Sequence, residues 1–223
     1  MQQGATGGTR RVVLFDFDGV LIHGDTFGGF VRDRYARGWW RKALLLLAAP
    51  WLLLAMPFSR RTVLRTLVRV GLLGLSEARY RELAGTFAAA LVHRPRQFSR
   101  EGLQALRRHV AAGDRVLIVT GCEDTLVRGV LEGLGVEGVE VLASRLQAGW
   151  FGVRSAWHNI GPRKVESLAR HGIDAWQLAY SDSSQDLPML ALAVEAVLVN
   201  ATPRSCMRVE KALGRSVTRV EWY

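Results

Sequence analysis

The sequence has few cysteines and few prolines, and each shortage excludes a class of protein. Its 223 residues include two cysteines, Cys122 and Cys206, which lie far apart and match no metal-ligand spacing or disulfide framework. Six prolines, together with 49% hydrophobic and 22% charged residues, exclude a disordered or collagen-like chain. A chain of this length and composition can bury one sizeable core and has room for a small second domain.

The chain also has no uncharged run long enough for a single helical crossing of a membrane. Its apolar run, residues 43–56, is fourteen residues long and contains Pro50, whereas a crossing needs roughly 20 residues. Residues 1–9 contain three glycines and lead into a strand-like segment. We therefore expect a flexible lead-in there and no signal peptide.

Acidic residues are scarce in one part of the chain. The sequence carries 30 Lys and Arg against 20 Asp and Glu, which gives a formal net charge of +10 and a pI near 10.7. Residues 27–97 hold thirteen of the basic residues and three of the acidic ones, so the whole excess lies there. A neutral body with a basic insert indicates a polyanionic partner, namely lipid head groups, nucleic acid or an anionic substrate.

Strand-like and helix-like segments alternate through the neutral part. Apolar runs predict strands at residues 12–17, 115–120, 177–181 and 196–199. Helical patterns cover residues 99–112, 163–171 and 187–192. This alternation predicts an α/β fold with a doubly wound parallel sheet. A hairpin is predicted over residues 143–158, with no function assigned to it.

The basic segment has helical spacing nearly throughout, over residues 39–56, 61–73 and 76–92. It predicts a helical cap inserted after the first strand. The expected division is a catalytic core, residues 1–26 and 98–223, and a cap, residues 27–97.

Polar residues lie at the carboxyl ends of the predicted strands. Ligands bind at these ends in parallel sheets. Asp16 and Asp18 suit a nucleophile paired with an acid/base, since a carboxylate can attack phosphorus and form an aspartyl-phosphate. Mg²⁺ is the expected ion, and Asp182 and Asp186 offer further oxygen ligands. Thr120 with the Gly121 backbone can bind phosphate oxygens, and Lys164 can neutralise developing charge.

These elements, in this order, resemble the haloacid dehalogenase superfamily of phosphotransferases. The resemblance implies that Asp16 is the nucleophile and a Mg²⁺ ligand, and that Asp18 is the general acid/base whose backbone carbonyl also binds the metal. It implies that Thr120 and Lys164 hold the phosphoryl group, that Asp182 binds the metal, and that Asp186 supports it directly or through water.

Finer resemblances lie around the cap. The helical insert and residues 182–190 resemble the phosphoserine-phosphatase-like branch, subfamily IB, although Ser181 stands where many members have Gly and Val20 where many have Thr. Residues 24–30, 76–79 and 180–186 resemble the phosphatidylglycerophosphatase C family, whose members dephosphorylate phosphatidylglycerophosphate at the bacterial inner membrane. Three residues near the motifs, His23, His158 and Cys122, are interpreted as structural.

The apolar run and its flanks favour a membrane surface as the partner. Asp16 precedes the run and Asp182 follows it. Because the two residues are predicted to share one active site, both flanks of the run must lie on one side of a membrane. Both flanks are basic, which favours the cytoplasmic side. A peripheral or re-entrant helix at the inner membrane fits, with Trp39, Trp40 and Trp51 at the head groups. Nucleic acid is disfavoured because the basic residues border an apolar run.

The sequence therefore predicts a Mg²⁺-dependent phosphomonoester hydrolase that acts on an anionic phospholipid such as phosphatidylglycerophosphate. Two alternatives stay open. One is a soluble, cytoplasmic phosphatase for a small metabolite such as phosphoserine, with the apolar run folded inside the cap. The other is a non-catalytic lipid-binding module. Nothing in the sequence indicates an oligomeric state.

Overall fold

The computed structural model describes residues 10–222, so the predicted lead-in at residues 1–9 lies outside the described residues. Within that range, seven strands form one sheet. They are β1 (Val12–Phe15), β2 (Arg115–Glu123), β3 (Val139–Gly149), β4 (Gly152–Trp157), β5 (Trp176–Ser181), β6 (Ala193–Val199) and β7 (Thr218–Val220). The order across the sheet is β4-β3-β2-β1-β5-β6-β7, and every neighbouring pair is parallel except the hairpin β3–β4. The predicted α/β fold with a parallel sheet is confirmed.

Four helices lie between β1 and the rest of the sheet, in the segment predicted to form the cap. They are α1 (Thr26–Arg37), α2 (Trp39–Ala55), α3 (Arg60–Gly71) and α4 (Glu77–Val92). Side chains of Asp25, Ser59 and Ser76 accept hydrogen bonds from backbone N–H groups at the starts of α1, α3 and α4. Among residues 10–222, no helix is both long enough and apolar enough to span a bilayer.

Five further helices cover the two faces of the sheet. In chain order they are α5 (Arg100–Ala111), α6 (Asp124–Gly133), α7 (Pro162–Arg170), α8 (Leu187–Ala191) and α9 (Pro203–Leu213). Buried side chains of α4, α5 and α6 pack with Val13 and Phe15 of β1 on one face. Those of α7, α8 and α9 pack with Leu14 on the other face. Because β1 is covered on both faces, it is apolar at every position, as the sequence indicated.

The structure corrects the predicted bounds of three strands. The strand predicted at residues 196–199 begins three residues earlier, at Ala193. The first strand stops at Phe15, two residues early, because the chain turns there and the Phe17 N–H donates to the Asp16 carboxylate. The second strand does not break at Gly121 but continues to Glu123, with an irregular register against β3 between Val119 and Glu123. The elements β7, α1, α6 and α9 were not predicted, whereas the predicted hairpin is present as β3–β4.

Helix α4 fastens the cap segment to the core. Gly129 and Gly133 of α6 face Ala88 and Val92 of α4 so closely that an added Cβ would come within 3.0 and 2.8 Å of them. The Tyr80 hydroxyl donates a 2.6 Å hydrogen bond to Glu123 at the start of α6. Helix α4 therefore holds the cap segment to the core, while α2 carries many exposed apolar side chains.

Candidate active site

The centre of the candidate site is a buried lysine between two carboxylates. Asp16 directly follows β1, and its N–H donates to the Tyr180 carbonyl of β5. The Lys164 Nζ atom lies 3.0 Å from Asp16 Oδ2 and 2.7 Å from Asp186 Oδ2. The Ser181 hydroxyl, at the end of β5, also donates to Asp186 Oδ2 at 2.8 Å. Three predicted site residues from distant parts of the chain thus meet at the carboxyl edge of the sheet.

Burial and charge act in opposite directions on this cluster. Burial raises the pKa of Asp16 well above its usual value, and the neighbouring Lys164 partly counteracts that shift. Burial lowers the pKa of Lys164, but the carboxylates of Asp16 and Asp186 outweigh it and leave that pKa raised. Lys164 therefore stays protonated at neutral pH, and a fixed positive charge lies beside the predicted nucleophile.

Asp18 occupies a separate position in the turn after β1. Its Oδ1 atom accepts hydrogen bonds from the Thr26 hydroxyl at 2.6 Å and the Thr26 N–H at 3.1 Å. Burial raises the pKa of Asp18 to about 6, although these hydrogen bonds lower it. A carboxyl group with a pKa close to neutrality can both donate and accept a proton, as a general acid/base must. Thr26 was missed as a site residue because nothing in its local sequence distinguishes it from other helix starts.

Asp182 is brought to the same turn by a glycine. Gly19 has a φ of +79°, and an added Cβ would overlap the Asp182 carboxylate. The absence of a side chain at Gly19 therefore lets Asp182 lie against the loop that carries Asp16 and Asp18. Burial, followed by the charge of Asp186, raises the pKa of Asp182.

Thr120 and Gly121 lie inside β2, next to the loop that precedes α7. Thr120 is buried, and its hydroxyl accepts a 3.0 Å hydrogen bond from the Cys122 N–H. An added Cβ at Gly121 would come within 2.7 Å of Ile160. The strand that bears the predicted phosphate-binding residues therefore directly contacts the segment that leads to Lys164.

A buried asparagine fixes that segment. Asn159 donates its N–H to the Ser144 hydroxyl at 2.9 Å and its side-chain amide to the Leu142 carbonyl at 2.8 Å, while its Oδ1 accepts from Ser167 of α7. The Ser144 hydroxyl in turn donates to the Gly121 carbonyl at 2.7 Å. The sequence carried no signal for Asn159 or Ser144, because their partners are far away in the chain.

The three residues interpreted as structural have ordinary surroundings. Cys122 is buried, which raises the pKa of its thiol well above the usual value and keeps it protonated. The backbone N–H and carbonyl of His23 bond Gln97, and His158 is exposed.

The donor set fits a hard divalent cation by its chemistry. Among residues 10–222, no three side chains of His, Cys, Asp or Glu are grouped closely enough to hold a metal by themselves. The Asp18 carboxylate faces Thr26, and Asp186 faces Lys164 and Ser181. The carboxylates of Asp16 and Asp182 and the backbone carbonyl of Asp18 are oxygen donors of the kind that Mg²⁺ prefers in proteins.

Comparison with known protein families finds a match over most of the chain. The sequence profile of haloacid dehalogenase-like hydrolases matches residues 13–191, a range that contains all seven predicted site residues. The chain belongs to this family. The protein CicA of Caulobacter vibrioides (strain NA1000 / CB15N) is 30% identical over 200 residues, which cover 86% of this chain and 87% of CicA.

Solved structures share the fold of this hydrolase. A protein of unknown function from Bordetella pertussis Tohama I superposes with a TM-score of 0.69 at 21% identity and covers 94% of this chain and 99% of its own. A phospho-aspartyl intermediate analogue of phosphoserine phosphatase superposes with a TM-score of 0.58 at 16% identity and covers 94% of both chains. Family membership confirms the predicted hydrolase class, and the superpositions agree with the predicted α/β fold.

Proposed function

We propose that the protein is a Mg²⁺-dependent phosphomonoester hydrolase that works through an aspartyl-phosphate and acts on an anionic phospholipid head group, such as that of phosphatidylglycerophosphate. The observation that carries the proposal is the placement of Asp16 and Lys164, 3.0 Å apart at the carboxyl edge of the sheet. The proposed location is the cytoplasmic face of the inner membrane, and the proposed partner is an anionic lipid surface.

Asp16 is proposed as the nucleophile because it stands at the end of a buried central strand with its geometry fixed. Its Oδ1 accepts the Phe17 N–H at 2.7 Å, and its Oδ2 lies at Lys164. Attack of a carboxylate oxygen on phosphorus breaks the bond to the leaving oxygen and forms an aspartyl-phosphate. Lys164, which is 2% exposed, places its charge where the phosphoryl oxygens gain negative charge.

Asp18 is proposed as the acid and then the base. In the first step it gives its proton to the leaving alkoxide, and in the second it takes a proton from the water that attacks the aspartyl-phosphate. Its pKa of about 6 leaves both forms accessible near neutral pH. The two hydrogen bonds from Thr26 hold the carboxyl group in place through both steps.

Mg²⁺, when bound, would screen the repulsion between the carboxylate nucleophile and the phosphate. The proposed ligands are Asp16, Asp182 and the backbone carbonyl of Asp18, with Asp186 in support through water. The Thr120 hydroxyl and the Gly121 backbone are proposed to hold phosphate oxygens, since they lie beside the segment that leads to Lys164.

The lipid substrate is proposed from the surface of α2 and the turn after it. Leu46, Leu47, Leu53, Leu54 and Phe58 are 69–89% exposed, which is a large apolar surface for a protein that meets only water. The exposed basic residues Lys42, Arg60, Arg61 and Arg65 lie at its borders. An apolar face bordered by cations matches the interface of an anionic membrane.

The nucleophile is tested with Asp16→Asn in the full chain. We expect hydrolysis of phosphomonoesters in the presence of Mg²⁺ to fall by roughly 10³-fold or more. Asp174→Asn, the same change at an exposed position, serves as the control and should retain activity. Full activity of Asp16→Asn would exclude the mechanism, and an inactive wild-type protein on every phosphomonoester would favour the lipid-binding module.

The substrate is tested by turnover of phosphatidylglycerophosphate in micelles beside soluble phosphomonoesters, including phosphoserine. We expect a clear preference for the lipid in kcat/KM. A preference for phosphoserine, together with failure to sediment with anionic vesicles, would instead support the soluble phosphatase, which the solved phosphoserine phosphatases of the same fold make the second candidate.

A further inference from the structure

The turn of the β3–β4 hairpin carries two aromatic residues that the protein does not cover. Trp150 is 100% exposed and Phe151 is 81% exposed, between Gly149 and Gly152. Single exposed apolar side chains are common, but two adjacent exposed aromatic rings at a hairpin turn form a projecting apolar surface. None of the candidate site residues lies on this turn, so catalysis does not explain it.

The turn is held firmly against the cap segment. The Gly74 N–H donates to the Phe151 carbonyl at 2.9 Å, and Leu73 forms a bridge with Gly152. Gly152 has a φ of +128°, and an added Cβ would lie 2.5 Å from the Leu72 carbonyl. The backbone that presents the two rings is therefore fixed by the connection between α3 and α4.

The same connection also holds the start of α2. Arg41 Nη2 donates to the Leu73 carbonyl at 3.4 Å, and the Arg41 guanidinium lies 4.0 Å from the centre of the Trp40 ring. Trp39, the next residue back, is 79% exposed. The aromatic residues of the hairpin turn and those that begin α2 thus attach to neighbouring residues of one short connection.

From this point the exposed apolar surface continues along α2. The seventeen residues of α2 extend about 25 Å to the turn that bears Met56 and the 89% exposed Phe58. Together the hairpin turn, the exposed side of α2 and the turn after it form one elongated apolar surface. Both ends of α2 carry exposed cations, Lys42 at the start and Arg60 just beyond the end.

We propose that Trp150 and Phe151 form a second membrane contact, which enters the interface of an anionic bilayer beside α2. The inference rests on the proposed membrane location and adds a contact made by the catalytic core itself. A bilayer is the occupant that this surface fits, because tryptophan prefers the head-group level and the adjacent basic residues attract anionic lipid. One membrane contact lies on the cap segment and the other on the core. Together they fix the orientation of the protein on the bilayer, which α2 alone would not fix.

The hairpin also connects to the candidate site. Ser144 of β3 bonds both the Gly121 carbonyl and the Asn159 N–H that precedes Lys164. A bilayer bound at the hairpin turn would therefore hold the catalytic edge of the sheet at a set height above the lipid head groups. A phosphate presented from the membrane then meets Asp16 in one orientation.

An environment-sensitive fluorophore on W150C tests the contact directly. Both native cysteines are buried, so the labelled wild-type protein serves as the blank. On addition of phosphatidylglycerol vesicles we expect a blue shift and increased emission from the label at position 150. The same label on M207C, an exposed position on α9, should not respond. An unchanged spectrum at position 150 while the protein sediments with the vesicles would overturn the proposal and leave the membrane location standing.

Turnover separates the contact from catalysis. The double variant Trp150→Ser, Phe151→Ser should keep its rate on a soluble phosphomonoester and lose at least about fivefold in turnover of vesicle-borne lipid. Equal rates of variant and wild type on vesicles would overturn the proposal. A spectral shift that appears with rising protein concentration in the absence of lipid would show that a second copy of the chain covers the turn, and would also overturn it. Failure of the wild type to bind vesicles would overturn the proposed membrane location, and with it this contact.

Discussion

Lys164 is the only cation in contact with the two carboxylates at the centre of the described candidate site. Its ammonium group is buried with Asp16 and Asp186 within 3.0 Å, so the predicted nucleophile and a supporting carboxylate share one cation. Removal of Lys164 would leave both buried carboxylates without their cation, which costs several kcal/mol. The residues around this cluster hold its charged side chains in place, so single substitutions beside the cluster test that positioning.

Gly19→Ala tests the position of Asp182. The added Cβ would overlap the Asp182 carboxylate, so that side chain must move, and we expect the Mg²⁺ concentration for half-maximal activity to rise about 10-fold or more. Gly24→Ala is the matched control, since Gly24 also has a positive φ, +88°, but has no atom near the added Cβ. Equal Mg²⁺ titrations for the two variants would contradict the proposed role of Asp182.

Ser181→Ala tests the hydrogen bond to Asp186. Loss of a buried donor to a carboxylate should lower the free energy of unfolding by about 1.5–3 kcal/mol, measured by urea denaturation. Because Lys164 still holds Asp186, activity should stay within about 10-fold of the wild type. Ser183→Ala, which removes an exposed hydroxyl group that caps a 3₁₀ turn, should cost less stability. An equal loss in both variants would mean that the bond to Asp186 contributes no more than the cap of the 3₁₀ turn.

The candidate catalytic residues could be proposed from the sequence because they fall within short motifs, whereas the residues that hydrogen-bond to them or to the segments around them could not. Asp16, Asp18 and Asp182 stand directly after strand-like runs, so their meeting point followed from the parallel sheet. Thr26, Asn159 and Ser144 act through partners that lie eight to twenty-three residues away. Such pairings depend on the packed fold, which local pattern does not reveal.

At the scale of elements, the apolar central strands were the best predicted and the polar or short ones the worst. The segment β1 is apolar at all four positions and is recognisable by itself. By contrast, β7 has three residues that are mostly exposed, and α6 begins directly after β2 without a loop. Tertiary pairing and a side-chain cap from Glu123 define these elements, and neither leaves a periodic pattern in the sequence.

Tyr80→Phe tests the link between α4 and α6, with a defined pH dependence. Burial raises the pKa of Glu123, and the Tyr80 hydroxyl lowers it, so the pKa should rise further in the variant. An acid whose folded pKa is raised destabilises the fold when it is ionised. The loss in free energy of unfolding, about 1–3 kcal/mol near pH 7.5, should therefore shrink as the pH falls towards 4.

Tyr35→Phe provides the matched control for that titration. Its hydroxyl donates a 2.6 Å hydrogen bond to the Leu67 carbonyl, which does not ionise. Its loss of stability should be the same at pH 7.5 and near pH 4. A pH-independent loss in Tyr80→Phe as well would show that the Tyr80 hydroxyl does not change the pKa of Glu123.

At the scale of the whole molecule, the net positive charge and the candidate catalytic residues lie in different parts of the chain. The net excess of +10 lies in residues 27–97, while the candidate catalytic residues lie in the balanced remainder. The sequence alone placed this excess correctly, since charge counting needs no fold. It did not reveal that the hairpin of the core lies beside the same surface, because that contact joins residues 72–75 to residues 151–152.

Salt and charge variants test the proposed binding to membranes. Sedimentation with phosphatidylglycerol vesicles should weaken by more than about 10-fold between 0.1 and 0.5 M NaCl, and zwitterionic vesicles should bind poorly. Replacement of Arg60 and Arg61 by Gln should lower the affinity by roughly 10- to 30-fold at low salt. The same replacement of Arg204 and Arg208, exposed on α9, changes the net charge equally. Equal effects of the two pairs would indicate a response to net charge alone.

The position of β1 in the sheet has a consequence for how the chain is made. Both of its partners come much later, β2 at residue 115 and β5 at residue 176. Ribosomes add about 5–20 residues per second, so α2 leaves the ribosome several seconds before the sheet can close. A nascent chain tethered by α2 at the membrane would then complete its catalytic fold at the surface where its proposed substrate lies.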